Sequence, residues 1–372
     1  MSALSSFLLQ NANTPRVFIA ATRQNDGKTT TSLGLLSALQ QRYGRVGYIK
    51  PVGQRFVEID EQKIDEDSVL MDQIFRLNCP LGAMNPIAVE PDFTRRYLQT
   101  LNYEALVARI QKAFDRVAWE KDFVLCEGTG HAGVGSVFDL SNAAVARLLN
   151  ARVVIVTQGG IGKPVDEVAI NHALFKKEGT EVIGVIVNKV LPEKMDYIRE
   201  FVGRGLKRQG LPLLGVIPYQ PMLSSPTLNL IHEELKADLL NHTTQGNNIM
   251  DRFVLGAMAP SRALQLLNSG VLFVTPGDRD DLLLAVAAHA REKPNCLAGL
   301  VLSDDLLPAN SVLEQLRQVP FPVLSARDDS YGVASKVHDL IVKIRPGDTG
   351  KINIVRDLVA RHVNLDQILA SL

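Results

Sequence analysis

The chain has 372 residues, enough for about two or three domains. Its 40 basic and 40 acidic residues cancel, which removes any electrostatic argument for a nucleic-acid or membrane surface. The 46% hydrophobic content suffices for real cores, yet no apolar run approaches the roughly 20 residues that span a bilayer. Cys79, Cys126 and Cys296 lie far apart without metal-ligand spacing, so they read as reduced, buried small hydrophobes of a cytoplasmic protein. The first ten residues lack a basic region and carry too short an apolar run for a signal peptide.

The first element in chain order is a strand over 16–21, followed by Thr22-Arg23-Gln24-Asn25-Asp26-Gly27-Lys28-Thr29-Thr30-Thr31 and a helical pattern from Ser32. Gly27-Lys28-Thr29 is the second half of the phosphate-loop pattern GxxxxGK[ST], with Thr22 where its first glycine belongs. A glycine at 27 lets the backbone approach phosphate oxygens. The amides of the following helix point at an anion, aided by the helix dipole. Lys28 supplies an ammonium for the β/γ-phosphates, and the Thr29 hydroxyl suits Mg²⁺. An ordinary strand-to-helix turn with a chance Gly-Lys-Thr is the bland reading, and the flanking strand and helix count against it.

Further strands are expected at 45–50, 122–126, 152–157, 181–188 and 213–217, with helices at 103–118, 139–150, 164–177 and 194–208. Runs apolar on both faces, such as Val153-Val154-Ile155-Val156, suit a parallel sheet covered by helices, hence a doubly wound, mostly parallel α/β domain. Lys50, in Gly47-Tyr48-Ile49-Lys50-Pro51-Val52, ends a strand at the edge where such sheets bind ligands; a solvated lysine is the even alternative. Asp65-Glu66-Asp67-Ser68 reads either as a polar helix start or as the source of a Mg²⁺ carboxylate. Phe123-Val124-Leu125-Cys126-Glu127-Gly128-Thr129-Gly130-His131 runs from apolar residues into an acid and glycines, so Glu127 is a candidate Mg²⁺ ligand at a strand end. Asn188, ending Val185-Ile186-Val187-Asn188-Lys189, offers an amide to adenine or merely caps a turn.

The polar, turn-rich stretch 241–250 reads as a linker between domains 1–240 and 251–372. After it come strands at 252–257, 271–275, 297–302 and 322–325, alternating with helices at 260–268, 279–290 and 309–318. The chain closes with helical patterns at 351–362 and 364–371. Asp278-Arg279, at a strand end and helix start, either binds an anion or pairs internally to fix a loop, with the internal pair ahead.

The order of the pieces in 15–240 resembles dethiobiotin synthetase and its relatives, among them the P-loop amidoligases of cobalamin synthesis. The sequence runs from Gly-Lys-Thr through Gly-Tyr-Ile-Lys-Pro-Val, the acidic helix start, Glu-Gly-Thr-Gly and Ile-Val-Asn-Lys to Leu-Leu-Gly-Val-Ile-Pro. The resemblance implies ATP and Mg²⁺ as cofactors. It places Lys28, Thr29 and Thr30 on phosphates and Mg²⁺, Lys50 on a substrate carbamate or the γ-phosphate, Asp67 and Glu127 on Mg²⁺, and Asn188 on adenine. Thr22, Asp26, Gly27 and Lys189 complete the candidate nucleotide site, with Lys28, Lys50 and Glu127 as candidate catalytic groups. Arg23 stands where a deviant P-loop carries a lysine that crosses a dimer interface, which implies a homodimer.

In the second half, Gly270-Val271-Leu272-Phe273-Val274-Thr275-Pro276-Gly277-Asp278-Arg279-Asp280-Asp281 resembles the signature of a DRTGG domain. Asp328-Asp329-Ser330-Tyr331 and Lys351-Ile352 resemble its late turn and closing helix. Both halves in this order resemble the N-terminal regulatory half of long-form bacterial phosphate acetyltransferases. The sequence reaches Leu372 where the acyltransferase domain would start, so that activity is not expected of it, and Cys296 lacks the glycine-rich elbow of a glutaminase nucleophile. Two functions follow: an ATP-dependent enzyme that phosphorylates a carboxylate or carbamate for ligation, or a nucleotide or metabolite sensor regulating a partner such as an acyltransferase.

Overall fold

In a computed structural model, which describes residues 9–340 and 342–372, the chain divides into two units. One runs to Tyr219 and takes back Ile344–Leu372; the other is Gln220–Lys343. Most of the first ten residues, where a signal peptide was not expected, lie outside the described residues. No helix among the described residues is long and apolar enough to cross a membrane.

The first unit is built on a six-stranded parallel sheet. Its strands lie in the order Leu213–Pro218, Val182–Val190, Arg152–Gln158, Arg16–Ala21, Phe123–Glu127 and Val46–Ile49. The central strands are buried on both faces: Phe18, Ile19, Val124 and Val154 are fully covered. This is why their sequences are continuously apolar rather than alternating. From Arg16–Ala21 the chain goes one way to Val46–Ile49, returns to Phe123–Glu127 between them, and then crosses the other way to Arg152–Gln158. The two strands on either side of Arg16–Ala21 therefore have connections leading to opposite edges, and a crevice opens at their carboxyl ends.

Helix Lys28–Tyr43 leaves that crevice and packs against the returning helix Thr349–His362. The two approach so closely at Gly34 that a Cβ there would lie 2.3 Å from Val359 Cγ2. After that helix the Asn364 N–H donates to Leu214 O at 2.8 Å, and Val363 bridges to Gly215. A hairpin, Phe56–Ile59 with Gln62–Asp65, turns through Asp60 and Glu61, both in the left-handed region at φ 47° and 60°. Both central residues at positive φ mark a turn whose twist matches its strands.

The second unit holds a five-stranded sheet in which Arg252–Leu255, Val271–Pro276, Gly299–Ser303 and Val323–Ser325 run parallel, with a short antiparallel edge at Asp238–Leu239. Phe273, Leu283, Val286 and Leu300 form the core on one face. Leu228, Ile231, Val274 and Val333 form it on the other.

The units differ from the domains read from the sequence. Helix Leu228–Leu235 belongs to the second core, and residues 344–372 belong to the first unit. Stretch 241–250 lies within the second unit: Asn241 is buried, donates to Val319 O (3.0 Å) and Phe321 O (2.9 Å), and accepts from Val323 N (3.0 Å). At Asn241 polarity thus signals satisfied burial, whereas His242, Thr244 and Asn247 are exposed.

Candidate functional site

The site forms at the carboxyl ends of the strands of the first sheet. The Gly27 backbone sits at φ 94°, and a Cβ there would lie 2.0 Å from Asn188 Nδ2. Glycine is thus required twice, by conformation and by space. The loop is tied down from both sides. Asp26 accepts from the Thr22 hydroxyl and from Arg23 N, each at 2.7 Å, and Thr22 also touches the Thr157 hydroxyl at 2.9 Å. Asn188 Nδ2 donates to Asp26 O at 2.9 Å, and Lys189 Nζ donates to Asn25 O at 2.7 Å.

These contacts make Asn188 and Lys189 braces of the loop in this structure; Asn188 also accepts from Lys189 N at 2.9 Å. Its amide keeps one N–H and one lone pair for any further partner. Arg23 is half exposed and pairs with Glu167 of its own chain. Thr30 lies in the first turn of helix Lys28–Tyr43, partly covered. Gly27→Ala is expected to cost about 1–2 kcal/mol from the left-handed backbone alone, plus displacement of Asn188. Thermal melting checks it, and an unchanged midpoint would show that the loop relaxes freely.

Lys28, Lys50, Asp65, Asp67 and Glu127, the charged groups of the site, are all nearly or fully buried. Glu127 is the last residue of its strand, and Lys50 directly follows its own. The Thr29 hydroxyl lies 2.8 Å from Glu127 Oε1 and 3.2 Å from Asp67 Oδ2. A single hydroxyl proton serves only one of these carboxylates at a time, so three oxygens converge around it. Lys50 Nζ donates to Asp65 Oδ1 at 2.8 Å and to Asp67 Oδ2. Burial pulls the Lys50 ammonium down, but Asp67, Asp65 and Glu127 outweigh it and hold Lys50 protonated. Burial pushes the Glu127 carboxyl up, and the nearby Asp67 charge adds to that. Burial likewise lowers the Lys28 ammonium, against the pull of Glu127.

The ensemble fits a divalent cation. The carboxylates of Asp65, Asp67 and Glu127 stand beside the Thr29 hydroxyl and the ammonium groups of Lys28 and Lys50, and hard oxygens are what Mg²⁺ takes. No group of three or more His, Cys, Asp or Glu side chains suited to a metal occurs among the described residues. A cation here would accordingly need further oxygens from a ligand or water.

Several supporting residues had no assigned role in the sequence reading. Tyr48 OH donates to Glu127 Oε2 at 3.0 Å. It lies two residues before Lys50, so the strand period was a usable signal for it. Asn85 Nδ2 donates to Lys50 O at 2.8 Å while its Oδ1 accepts from Asp65 N at 3.0 Å. Asn142 accepts from Thr129 N at 2.9 Å and donates to the Thr129 and His131 carbonyls, each at 2.6 Å, shaping the glycine loop after Glu127. No local pattern marks either asparagine, because Lys50, Asp65 and Thr129, which they clamp, lie 13 or more residues away.

In the second unit, Arg279 is paired with a residue other than Asp278. The Arg279 guanidinium is held by Asp281 through two contacts of 2.9 Å, and it reaches the Gly256 and Met258 carbonyls at 3.4 Å. Asp278 is exposed and is not its hydrogen-bond partner. Arg279 thus pairs with Asp281 in place of Asp278.

Comparison with known proteins agrees with this architecture. The family model described as AAA domain matches residues 15–227, and the DRTGG domain model matches 230–340. A phosphate acetyltransferase of Pseudomonas aeruginosa is 31% identical over 94% of this chain and 51% of its own length. That of Nitratidesulfovibrio vulgaris is 26% identical over 95% and 51%. The chain spans about half the length of these curated relatives. A ParA family ATPase of Chlorobium tepidum overlaps with a TM-score of 0.34 and 15% identity over 56% of this chain and 85% of that one, too distant to add to the argument. With the first model covering more than half of the chain and the second following directly, the chain belongs to the AAA domain family, its P-loop domain followed by a DRTGG domain.

Proposed function

We propose that the first unit binds ATP with Mg²⁺ and that occupancy of this site is read by an acyltransferase partner. The observation that carries the reading is the convergence of Lys28 and Lys50, the Thr29 hydroxyl and the Asp67 and Glu127 carboxylates at the carboxyl ends of adjoining strands. Backbone amides at the start of helix Lys28–Tyr43 receive the phosphates, and Lys28 offsets their charge. Thr29, Asp67 and Glu127 hold the cation, which neutralises phosphate charge when bound. Thr22, Asp26, Asn188 and Lys189 keep the loop in its receiving shape.

A regulatory role is supported by the DRTGG domain and by relatives named phosphate acetyltransferases that are about twice as long. It is also supported by Lys50, whose ammonium is already occupied by two carboxylates rather than offered to a transferring phosphoryl group. The ligase reading remains the second, favoured by the same pair of lysines near a candidate phosphate site. A homodimer belongs to the proposal through Arg23, which would exchange Glu167 for the neighbouring site. A solution mass of a single chain with ATP and Mg²⁺ counts against it.

The test is calorimetric titration of ATP with Mg²⁺ into wild type and Lys28→Ala. Loss of charge-assisted hydrogen bonds worth about 1.5–3 kcal/mol predicts at least tenfold weaker binding. Binding without phosphate release supports the sensor, whereas release dependent on an added carboxylate or amine supports the ligase. Wild type that binds no ATP ends both readings.

A further inference from the structure

Asp67 has two claims on it. Its Oδ2 lies 3.2 Å from the Thr29 hydroxyl, in the cation position proposed above, and the same atom accepts from Lys50 Nζ. A cation that takes Asp67 withdraws a counter-ion from an ammonium that is almost fully buried. Leaving a buried charge unpaired is costly, so cation binding at Asp67 requires another partner for Lys50.

Asp65 is built for that part. It is 1% exposed, and its Oδ1 accepts from Lys50 Nζ at 2.8 Å. Its Oδ2 is buried with no hydrogen-bond partner, an acceptor in reserve on a residue already touching the ammonium. Its seat is fixed independently of Asp67's side chain. Asn85 clamps Asp65 N and Lys50 O with one amide, at 3.0 and 2.8 Å. Gly53 gives it room: a Cβ there would lie 2.6 Å from Asp65 Oδ2 and 2.8 Å from Asn85 Nδ2. The left-handed turn of the hairpin 56–65 delivers Asp65 to this place, and the residue then caps helix Glu66–Phe75 by accepting from Asp67 N at 3.0 Å.

We propose that Asp65 is a positioning residue that keeps Lys50 paired and aimed while Asp67 is released to a divalent cation. The inference rests on the nucleotide reading and deepens it. Asp65 touches neither cation nor nucleotide; it lowers the cost of cation binding by acting through Lys50.

The experiment measures ATP affinity as a function of Mg²⁺ for wild type, Asp65→Asn, Lys50→Met and the double variant. Asparagine caps helices as well as aspartate does, so the fold is kept; Asp65→Ser, also a capping residue, repeats the test should Asp65→Asn misfold. In Asp65→Asn the Mg²⁺ concentration for half-maximal ATP binding is expected to rise about tenfold, with metal-free ATP affinity within about twofold of wild type. In the Lys50→Met background the same substitution is expected to cause no such rise. An unshifted Mg²⁺ dependence, a loss shared equally with metal-free binding, or a rise that persists without Lys50 overturns the proposal. Wild type that binds no ATP instead defeats the nucleotide reading, and the inference falls with it.

Discussion

Lys50→Met is expected to lower the stability of the first unit by about 3–5 kcal/mol, because it leaves a buried carboxylate pair without its cation. Asp65 is 1% exposed and Asp67 8%, and both contact Lys50. Methionine nearly fills the volume, so little of the loss is packing. The penalty should depend on pH in a definite direction. Burial already raises the Asp65 carboxyl above its ordinary value, with Lys50 opposing that rise and Asp67 adding to it. Removing Lys50 raises it further. A carboxyl raised in the folded state binds a proton that the unfolded chain has released, so stability falls as pH climbs from the unfolded value through the raised one. The variant should therefore lose least in mild acid and most above neutrality. Urea unfolding at several pH values checks both parts. A uniform loss below about 1 kcal/mol would mean that water reaches the carboxylates freely.

Removing residues 344–372 is expected to abolish independent folding of the first unit, although the AAA domain model ends at residue 227. Ile352, Val355, Leu358, Val359, Val363 and Ile368 are all buried. At about 1.5–3 kcal/mol for each such side chain the loss is on the order of 10 kcal/mol, comparable with the whole stability of a domain. Removal also bares the face of helix Lys28–Tyr43 at Gly34 and the end of strand Leu213–Pro218. Circular dichroism and the unfolding transition of the shortened chain provide the check. A cooperative transition at the wild-type midpoint would show that the closing helices are ornamental to the fold.

The closing helices bear on the helix that carries Lys28 and Thr29. The P-loop opens helix Lys28–Tyr43, and the closing helix Thr349–His362 packs along it. Positioning of Lys28 and Thr29 thus depends on packing supplied by residues more than 300 positions later in the chain. Nothing in the loop motif itself discloses that dependence.

The sequence by itself determined the strands, the loop and the charges that belong to it. Arg16–Ala21, Phe123–Glu127 and Arg152–Gln158 are legible because a strand covered on both faces must be continuously apolar. Gly27-Lys28-Thr29, Lys50 and Glu127 are legible because each sits at the end of such a run, where a parallel sheet opens its crevice. Tertiary structure decided what local pattern does not encode. It chose Asp65 as well as Asp67 for Lys50, set Asn85 and Asn142 as clamps, turned Arg279 onto Asp281, and drew residues 344–372 back to the first unit. The physical reason is common to all of these. Burial and hydrogen-bond satisfaction are settled by neighbours in space, and a polar residue reads the same in sequence whether water or a distant backbone amide completes it.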